Sequence, residues 1–550
     1  MKKSLLFSVF ASALIFGGCS NIKVSDAVYC VQIDPLKKAF KEEMYFEENT
    51  DAVAVAKGEN ATFQFVFRSV YPVTDLKIEA GSLTKGEQKI DAGLKAFVGY
   101  IRAGKHTGNH SKDAVFPVSD YYPDCLNDEE MIDVPPMSNQ PVWVSYAIPK
   151  DADAGDYTAE IVLTGKTGGK PFRVVKSVKS KVFDVVVPEQ TLMVTNWFFG
   201  SLSKMNNDDK VEPYSDRYWE LMTELAHIMR DHGQNVYLFP GVPSLCDAKL
   251  TDGKYAFDFT NFDKTIELFL KEGNMKRIEG GHLGGRSGKW ESEFVVSVPG
   301  VGARPIENDT ARLFLSQFFP ALYQHLESKG WADIYMQHIA DEPTDQNAAS
   351  YIKITEFVKK QMPGTKIIDA VMSRKLANTV DIWVPILDHF HHDYDFYRER
   401  KAAGDEVWYY TCTGPQGNYA NRFLEQPLVQ MRILHWLNYR YGATGYLHWG
   451  FNSWDLSTTG DLANDNEDWP GGDCWIVYPA YGKVKSSIRL EAMLDGIRDY
   501  ELLKLLEQKS PDKAKELAAS IVKDFDRYQS NIRIFRATRL KLLEACSSDL

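Results

Sequence analysis

From residue 191 to about 508 the chain alternates between short apolar strands and amphipathic helices, and that alternation leaves few folds open. The apolar runs are LMVTNWFFG from 192, NVYLF from 235, KRIEGG from 276 and DIYMQHIA from 333. KIIDAV from 366, DIWVPI from 381, EVWYYT from 406 and TGYLHWGF from 444 complete the set. Between them lie helical patterns. In the first, Trp219, Met222, Leu225, Ala226 and Met229 recur at the spacing that puts them on one face. Others are expected near 259–272, 308–329, 346–361, 374–379, 394–402, 425–440 and 485–508. Eight strands alternating with helices predict an α/β fold, a closed parallel (β/α)8 barrel. The structural alternative is an open doubly wound sheet, which often carries a Gly-rich phosphate loop. The best candidate for one, GGHLGGRSG at 280–288, lacks the Lys-Ser/Thr ending.

Upstream the period is two instead of 3.6. ATFQFVFRS (61–69) puts Phe63, Phe65 and Phe67 on one face, and PVWVSYAIP (141–149) and GDYTAEIVLTG (155–165) alternate likewise. Residues 22–188 are therefore expected to form a β-sandwich, 191–508 the barrel and 509–550 a helical tail. With 550 residues the chain is too long for one core, in keeping with that division.

The N-terminus opens with Met1-Lys2-Lys3, runs apolar from Leu5 to Phe16, and reaches Gly17-Gly18-Cys19. This pattern predicts a signal peptide over 1–19 ending in a lipobox, with Cys19 acylated. The apolar run is shorter than the ~20 residues a membrane span needs. The expectation is an exported protein, lipid-anchored to the cell envelope at the outer membrane and touching the membrane only through that anchor. A net charge of −12 argues against nucleic acid as a partner. Six further cysteines are scattered without metal-type spacing.

In a barrel of this kind the active site forms at the C-terminal ends of the strands. IADEP ends the fourth run, so Asp341 and Glu342 stand side by side there. Adjacent carboxylates are costly unless one of them holds a proton. Retaining and inverting glycosidases place their two carboxyls ~5–5.5 or ~6.5–9.5 Å apart across the bond, which sequence neighbours do not readily achieve. A side-by-side pair suits substrate-assisted hydrolysis instead, in which a 2-acetamido oxygen attacks the anomeric carbon. One carboxylate then holds the acetamido N–H while the other protonates the leaving oxygen.

The same strand-end rule nominates sugar contacts. Asn196 and Trp197 end the first run, His282 follows the third and Tyr410 ends the seventh. Trp449, Asn452 and Trp454 lie beyond the eighth. Tyr410, with Tyr478 as its competitor, is expected to hydrogen-bond the acetamido oxygen. DHFHHDYD (388–395) is the best metal candidate, but its spacing matches no standard zinc motif, and His389 and His391 are expected to contact sugar. DLANDNEDWPGGD (461–473) lacks the calcium-loop pattern.

The Asp341-Glu342 pair, GYLHWGFNSW, GGDCWIVYP and SIRLEAMLDGIRDYELL resemble glycoside hydrolase family 123. PKDADAGDYT is similar to a stretch of that family's N-terminal β-sandwich. The resemblance implies a retaining exo-β-N-acetylgalactosaminidase using neighbouring-group participation, without cofactor or catalytic metal. It makes Asp341 the acetamido polariser and Glu342 the general acid/base, with Glu342 expected to hold a raised pKa and Asp341 to stay ionised. The substrate implied is a glycan ending in N-acetylhexosamine. Two readings stand beside it: a β-N-acetylglucosaminidase of the same mechanism, and a non-catalytic glycan-binding lipoprotein. The charges of the last motif, Arg489, Glu491, Asp495, Arg498 and Asp499, sit on a helix and are expected to brace structure, with no part in the chemistry.

Overall fold

A computed structural model describes residues 27–198, 202–456 and 468–548. Cys19 and the signal segment lie outside the described residues. Residues 28–186 form two mainly antiparallel sheets that share one apolar core. Phe63, Phe65 and Phe67 all point into it, at most 1% exposed, as their alternation predicts. Each such ring contributes about 1.5–3 kcal/mol on burial. The opposite face of the same strand is buried too. Gln64 donates to the Lys37 carbonyl at 2.9 Å, and Val66 joins a small second cluster with Val31 and Phe46.

Beyond residue 190 the predicted strands appear in order. They are β1 (Met193–Asn196), β2 (Val236–Leu238), β3 (Arg277–Gly280), β4 (Tyr335–Gln337), β5 (Lys366–Ala370) and β6 (Ile382–Val384). The seventh run is split into β7 (Glu406–Val407) and β8 (Tyr409–Thr411), and β9 (Gly445–His448) follows. All pair in parallel, but in two sheets rather than one unbroken ring. One is six-stranded, β2-β3-β4-β5-β6-β7, and the other is three-stranded, β1-β9-β8. At one junction the Asn235 amide donates to the Val194 carbonyl at 3.2 Å, just before β2. At the other, the Tyr410 amide donates to Pro385 at 3.0 Å and Tyr410 bridges Ile386.

The helices follow from local signals. They are α1 (Asp216–Asp231), α2 (Thr260–Glu272), α3 (Asp309–Lys329), α4 (Ala348–Gln361), α5 (Leu387–His392), α6 (Tyr394–Ala402), α7 (Leu428–Tyr441) and α8 (Ile488–Lys509). Ser215 caps α1 by accepting from the Tyr218 amide, and Asn308 caps α3 from two amides. Gly330 and Gly442 end α3 and α7 at φ 72° and 68°, a conformation costly for any residue with a Cβ. Helix α7 is buried from Leu428 through Tyr439, because α8 and the tail helices α9 (Pro511–Ile521) and α10 (Ile532–Ser547) cover its outer side. A short hairpin at 522–528 interrupts the otherwise helical tail. Among the described residues no helix is long and apolar enough to cross a membrane, and the six described cysteines are free thiols.

Two buried ion clusters rivet the β-rich region to the rest, and both use the 487–503 motif. Asp499 accepts from Arg432 at 2.6 and 2.9 Å, from the Trp436 indole at 2.9 Å and from Arg539 at 2.7 Å. Arg539 continues to Glu59 among the first strands. Arg489 meets Asp124 at 2.8 Å with both side chains fully buried. The bracing expected of this motif is its observed role.

Candidate active site

The site is built where β4 runs out. Its next residues are His338, Ile339 and Ala340, all buried, and then Asp341 and Glu342, both partly accessible. The backbone that delivers the pair is pinned by Asp369 of β5. Its Oδ2 accepts from the Ile339 amide at 2.9 Å, the Ala340 amide at 3.4 Å and the Tyr351 hydroxyl of α4. Glu342 then turns into the left-handed region at φ 49°. That conformation costs a non-glycine residue about 1–3 kcal/mol and persists only where neighbours enforce it. Arg286 is one such neighbour, donating Nη2 to the Glu342 carbonyl at 2.8 Å while its guanidinium lies 3.7 Å over the Trp290 ring. The Tyr410 hydroxyl donates to the Glu342 carboxylate.

Electrostatics at the pair are uneven. Burial raises the pKa of Asp341, and the Asp369 charge raises it further against the opposing His338 and Arg286 cations. Burial and then the Asp341 charge raise Glu342, opposed by the Tyr410 hydrogen bond, Arg286 and His389. Asp341 was expected to stay ionised while Glu342 held a raised pKa; burial beside Asp369 raises Asp341 as well, to about 6, which is still below neutral pH. The Asp341 charge acts on Glu342, so the two carboxyls titrate as a pair rather than independently.

Beneath the pair lies a stack of polar groups that sequence reading missed. His338 has Nδ1 2.6 Å from an Asp369 oxygen and Nε2 2.6 Å from a Glu279 oxygen. Glu279 also accepts from the Trp197 indole at 3.0 Å and the Thr195 hydroxyl at 2.8 Å. Glu279 and Asp369 were visible as acids inside the apolar runs KRIEGG and KIIDAV, a placement rare without a buried partner. His282, His338 and Asp369 stand close enough to suggest a metal site. The set does not fit one, because both His338 ring nitrogens are already engaged with carboxylate oxygens at 2.6 Å, which leaves neither free for an ion.

Several predicted contacts do gather here. Trp197 packs edge-on against His282 and His338, with ring centres 5.4 and 5.6 Å away. His282 keeps 24% of its side chain accessible, and burial followed by the His338 charge holds its pKa down at about 4. Trp449 packs against the apolar cluster that includes Tyr410, donates its indole to Asp473 at 3.1 Å and lies 5.3 Å from Trp469. His389 is near enough for its charge to act on Glu342.

Others do not gather. Asn196 is buried, accepting from Arg422 at 2.9 Å and facing Gln234, so it braces the core instead of forming a wall. Trp454 is fully buried with its indole on the Val477 carbonyl. Asn452 is fully buried and bridges Trp475. Tyr478 donates to Asp124 at 2.5 Å inside the seam with the β-rich region. His391 hydrogen-bonds Tyr419 at 2.9 Å and stacks on Phe525 of the tail. DHFHHDYD folds as α5 and the start of α6, which turns His391 away from the strand ends. Tyr410 serves Glu342 in this structure, so a substrate acetamido oxygen would have to displace that bond.

Comparison with known proteins gives a consistent picture. Residues 200–506 match the catalytic domain of glycoside hydrolase 123, and residues 36–165 match the glycoside hydrolase 123 N-terminal domain. Among solved structures, a family 123 glycoside hydrolase from Clostridium perfringens, described for glycolipid glycan hydrolysis, superposes with a TM-score of 0.72. It is 16% identical, and the match covers 95% of this chain and 97% of that one. A xylanase from Cellvibrio japonicus is similar at a TM-score of 0.35 and 9% identity, covering 57% of this chain and 98% of its own. A glycoside hydrolase described as putative from Bacteroides vulgatus reaches 0.30 at 10% identity, covering 84% and 79%. The last two similarities are too low to bear on the fold. No curated protein sequence matches the chain.

Proposed function

Since this chain belongs to glycoside hydrolase family 123 and is a glycoside hydrolase, we propose that it releases terminal β-linked N-acetylgalactosamine from glycans with retention, by substrate-assisted catalysis. The observation that carries this reading is the adjacent, partly accessible pair Asp341-Glu342, turned out at one strand end by the left-handed backbone of Glu342. In the first step the acetamido oxygen attacks the anomeric carbon, and Glu342 gives its proton to the departing glycosidic oxygen. Asp341 accepts the acetamido N–H and stabilises the cationic oxazolinium ring. In the second step Glu342 takes a proton from water as that water attacks the same carbon, and the acetamido oxygen leaves with the ring's electron pair. Two inversions give net retention. His282, His389 and Trp449 are the partly accessible side chains available to the sugar, with Trp197 buried behind His282.

In this reading the two parallel sheets are the halves of one (β/α)8 barrel, with β7 and β8 as its seventh strand. Cys19, acylated, would tether the exported enzyme to the cell envelope.

Release of nitrophenol from aryl β-glycosides of N-acetylgalactosamine, N-acetylglucosamine and plain galactose tests the proposal. Turnover of the first and none of the plain sugar is expected. A preference for N-acetylglucosamine would change the sugar and keep the mechanism. Turnover of plain galactoside would overturn the participation of the acetamido group, and inactivity on all three would favour a glycan-binding role.

A further inference from the structure

The catalytic pair stands on a fully buried triad, Glu279–His338–Asp369, each member 0% exposed. A neutral histidine has one N–H and one acceptor nitrogen. His338 directs both ring nitrogens at carboxylate oxygens 2.6 Å away, which can only accept while ionised. We propose that His338 is a permanent imidazolium that ties β3 to β5 and thereby positions the Asp341-Glu342 backbone, resting on the reading that this pair is catalytic.

The connection to the pair is direct. The oxygen of Asp369 not used by His338 accepts from the Ile339 and Ala340 amides and from Tyr351. If His338 released its proton, Asp369 would lose its counter-charge, and the hold on these two amides would weaken one residue before Asp341. The charged and titratable groups facing His338 come from every element around it. They are Glu279 on β3, His282 on the loop after β3, Asp369 on β5 with Tyr351 of α4 behind it, and Asp341 ahead on the same strand end. Trp197 covers one side with a ring edge. Burial alone would push the His338 pKa down; the Asp369 and Glu279 carboxylates outweigh it and hold it at about 10. The positive charge also opposes the rise in the Asp341 pKa. His338 is thus a positioning residue that never titrates in the working range, unlike the histidines that serve as proton carriers.

The test has two arms. In the full-length protein labelled with 15N-histidine, His338 should show both ring N–H groups from pH 5 to 9. A ring nitrogen unprotonated at pH 7 would overturn the proposal whether or not any substrate is turned over. In the second arm, Asp369→Asn and, separately, Glu279→Gln each remove one counter-charge. The histidine should then titrate below pH 9, and kcat on the aryl N-acetylgalactosaminide should show a new loss with rising pH, about tenfold per unit beyond it, while KM changes little. A loss of kcat by one constant factor from pH 5 to 9 in both variants would leave a merely structural triad and overturn the proposal. Inactivity of the wild type on every N-acetylhexosaminide would sink the substrate reading and leave the nuclear resonance arm standing.

Discussion

The strand ends of the catalytic half and the seam with the β-rich region both bury carboxylates, yet the two treat them in opposite ways. Asp499 in the seam receives four donors from Arg432, Trp436 and Arg539, and despite burial its pKa is held down at about 2. Asp341 has no such set of donors, and burial beside Asp369 raises it. Depth alone therefore does not decide protonation; the cations beside the anion, and then the donors aimed at it, do. A carboxylate saturated with donors holds structure together, whereas one left short of donors is free to receive one from a substrate.

The comparison can be broken hardest at Glu342. Glu342→Gln should lower kcat/KM on substrates with poor leaving groups by about 10²–10⁴-fold, and far less on dinitrophenyl glycosides, whose leaving oxygen needs no proton. Equal losses on both would reverse the roles given to the pair. In the seam, Asp499→Ala should cost about 3–5 kcal/mol of stability, since it leaves two buried arginines short of a partner, measured by denaturant unfolding. The sign with pH follows from the depressed pKa. Stability from Asp499 is present above its unfolded value near ~3.9 and is lost as pH falls toward about 2. An unfolding midpoint unchanged by the substitution would refute this role. Tyr410→Phe sharpens the contrast with a smaller effect. It removes a donor from Glu342, whose pKa should rise, so the alkaline limb of kcat/KM should move up by about one pH unit. A limb that moves down would mean the hydroxyl serves the protonated form.

Much of this arrangement could be read from letters alone, for identifiable reasons. The strands of the catalytic half are short, apolar and bounded by turns, so EVWYYT and TGYLHWGF announce themselves through composition. IADEP was conspicuous because two acids follow an apolar run. The strand-end rule, however, gives distance along a strand and not the side on which a side chain falls. Trp454 and Tyr478 lie near the right ends in sequence and point into core and seam. The segment GGHLGGRSG carries five glycines in nine residues and no strand pattern, yet Gly284–Arg286 pairs with the strand Phe294–Val298. That pairing depends on a partner outside any local window, and it is what brings Arg286 to Glu342. Likewise DHFHHDYD forms α5 through packing of Leu387 and Phe390 that its histidines conceal.

The seam has a consequence for how the molecule is made. Arg536 and Arg539, in the last helix, hold Asp34 and Glu59 beside the first strands, so Arg536 and Asp34 meet across 502 positions of sequence. A chain emerging from the ribosome has its first strands waiting for a clasp that is synthesised last. Pairings this remote close late and slowly. Until α10 arrives, the Asp499 carboxylate lacks the Arg539 donor and its cluster has an open side.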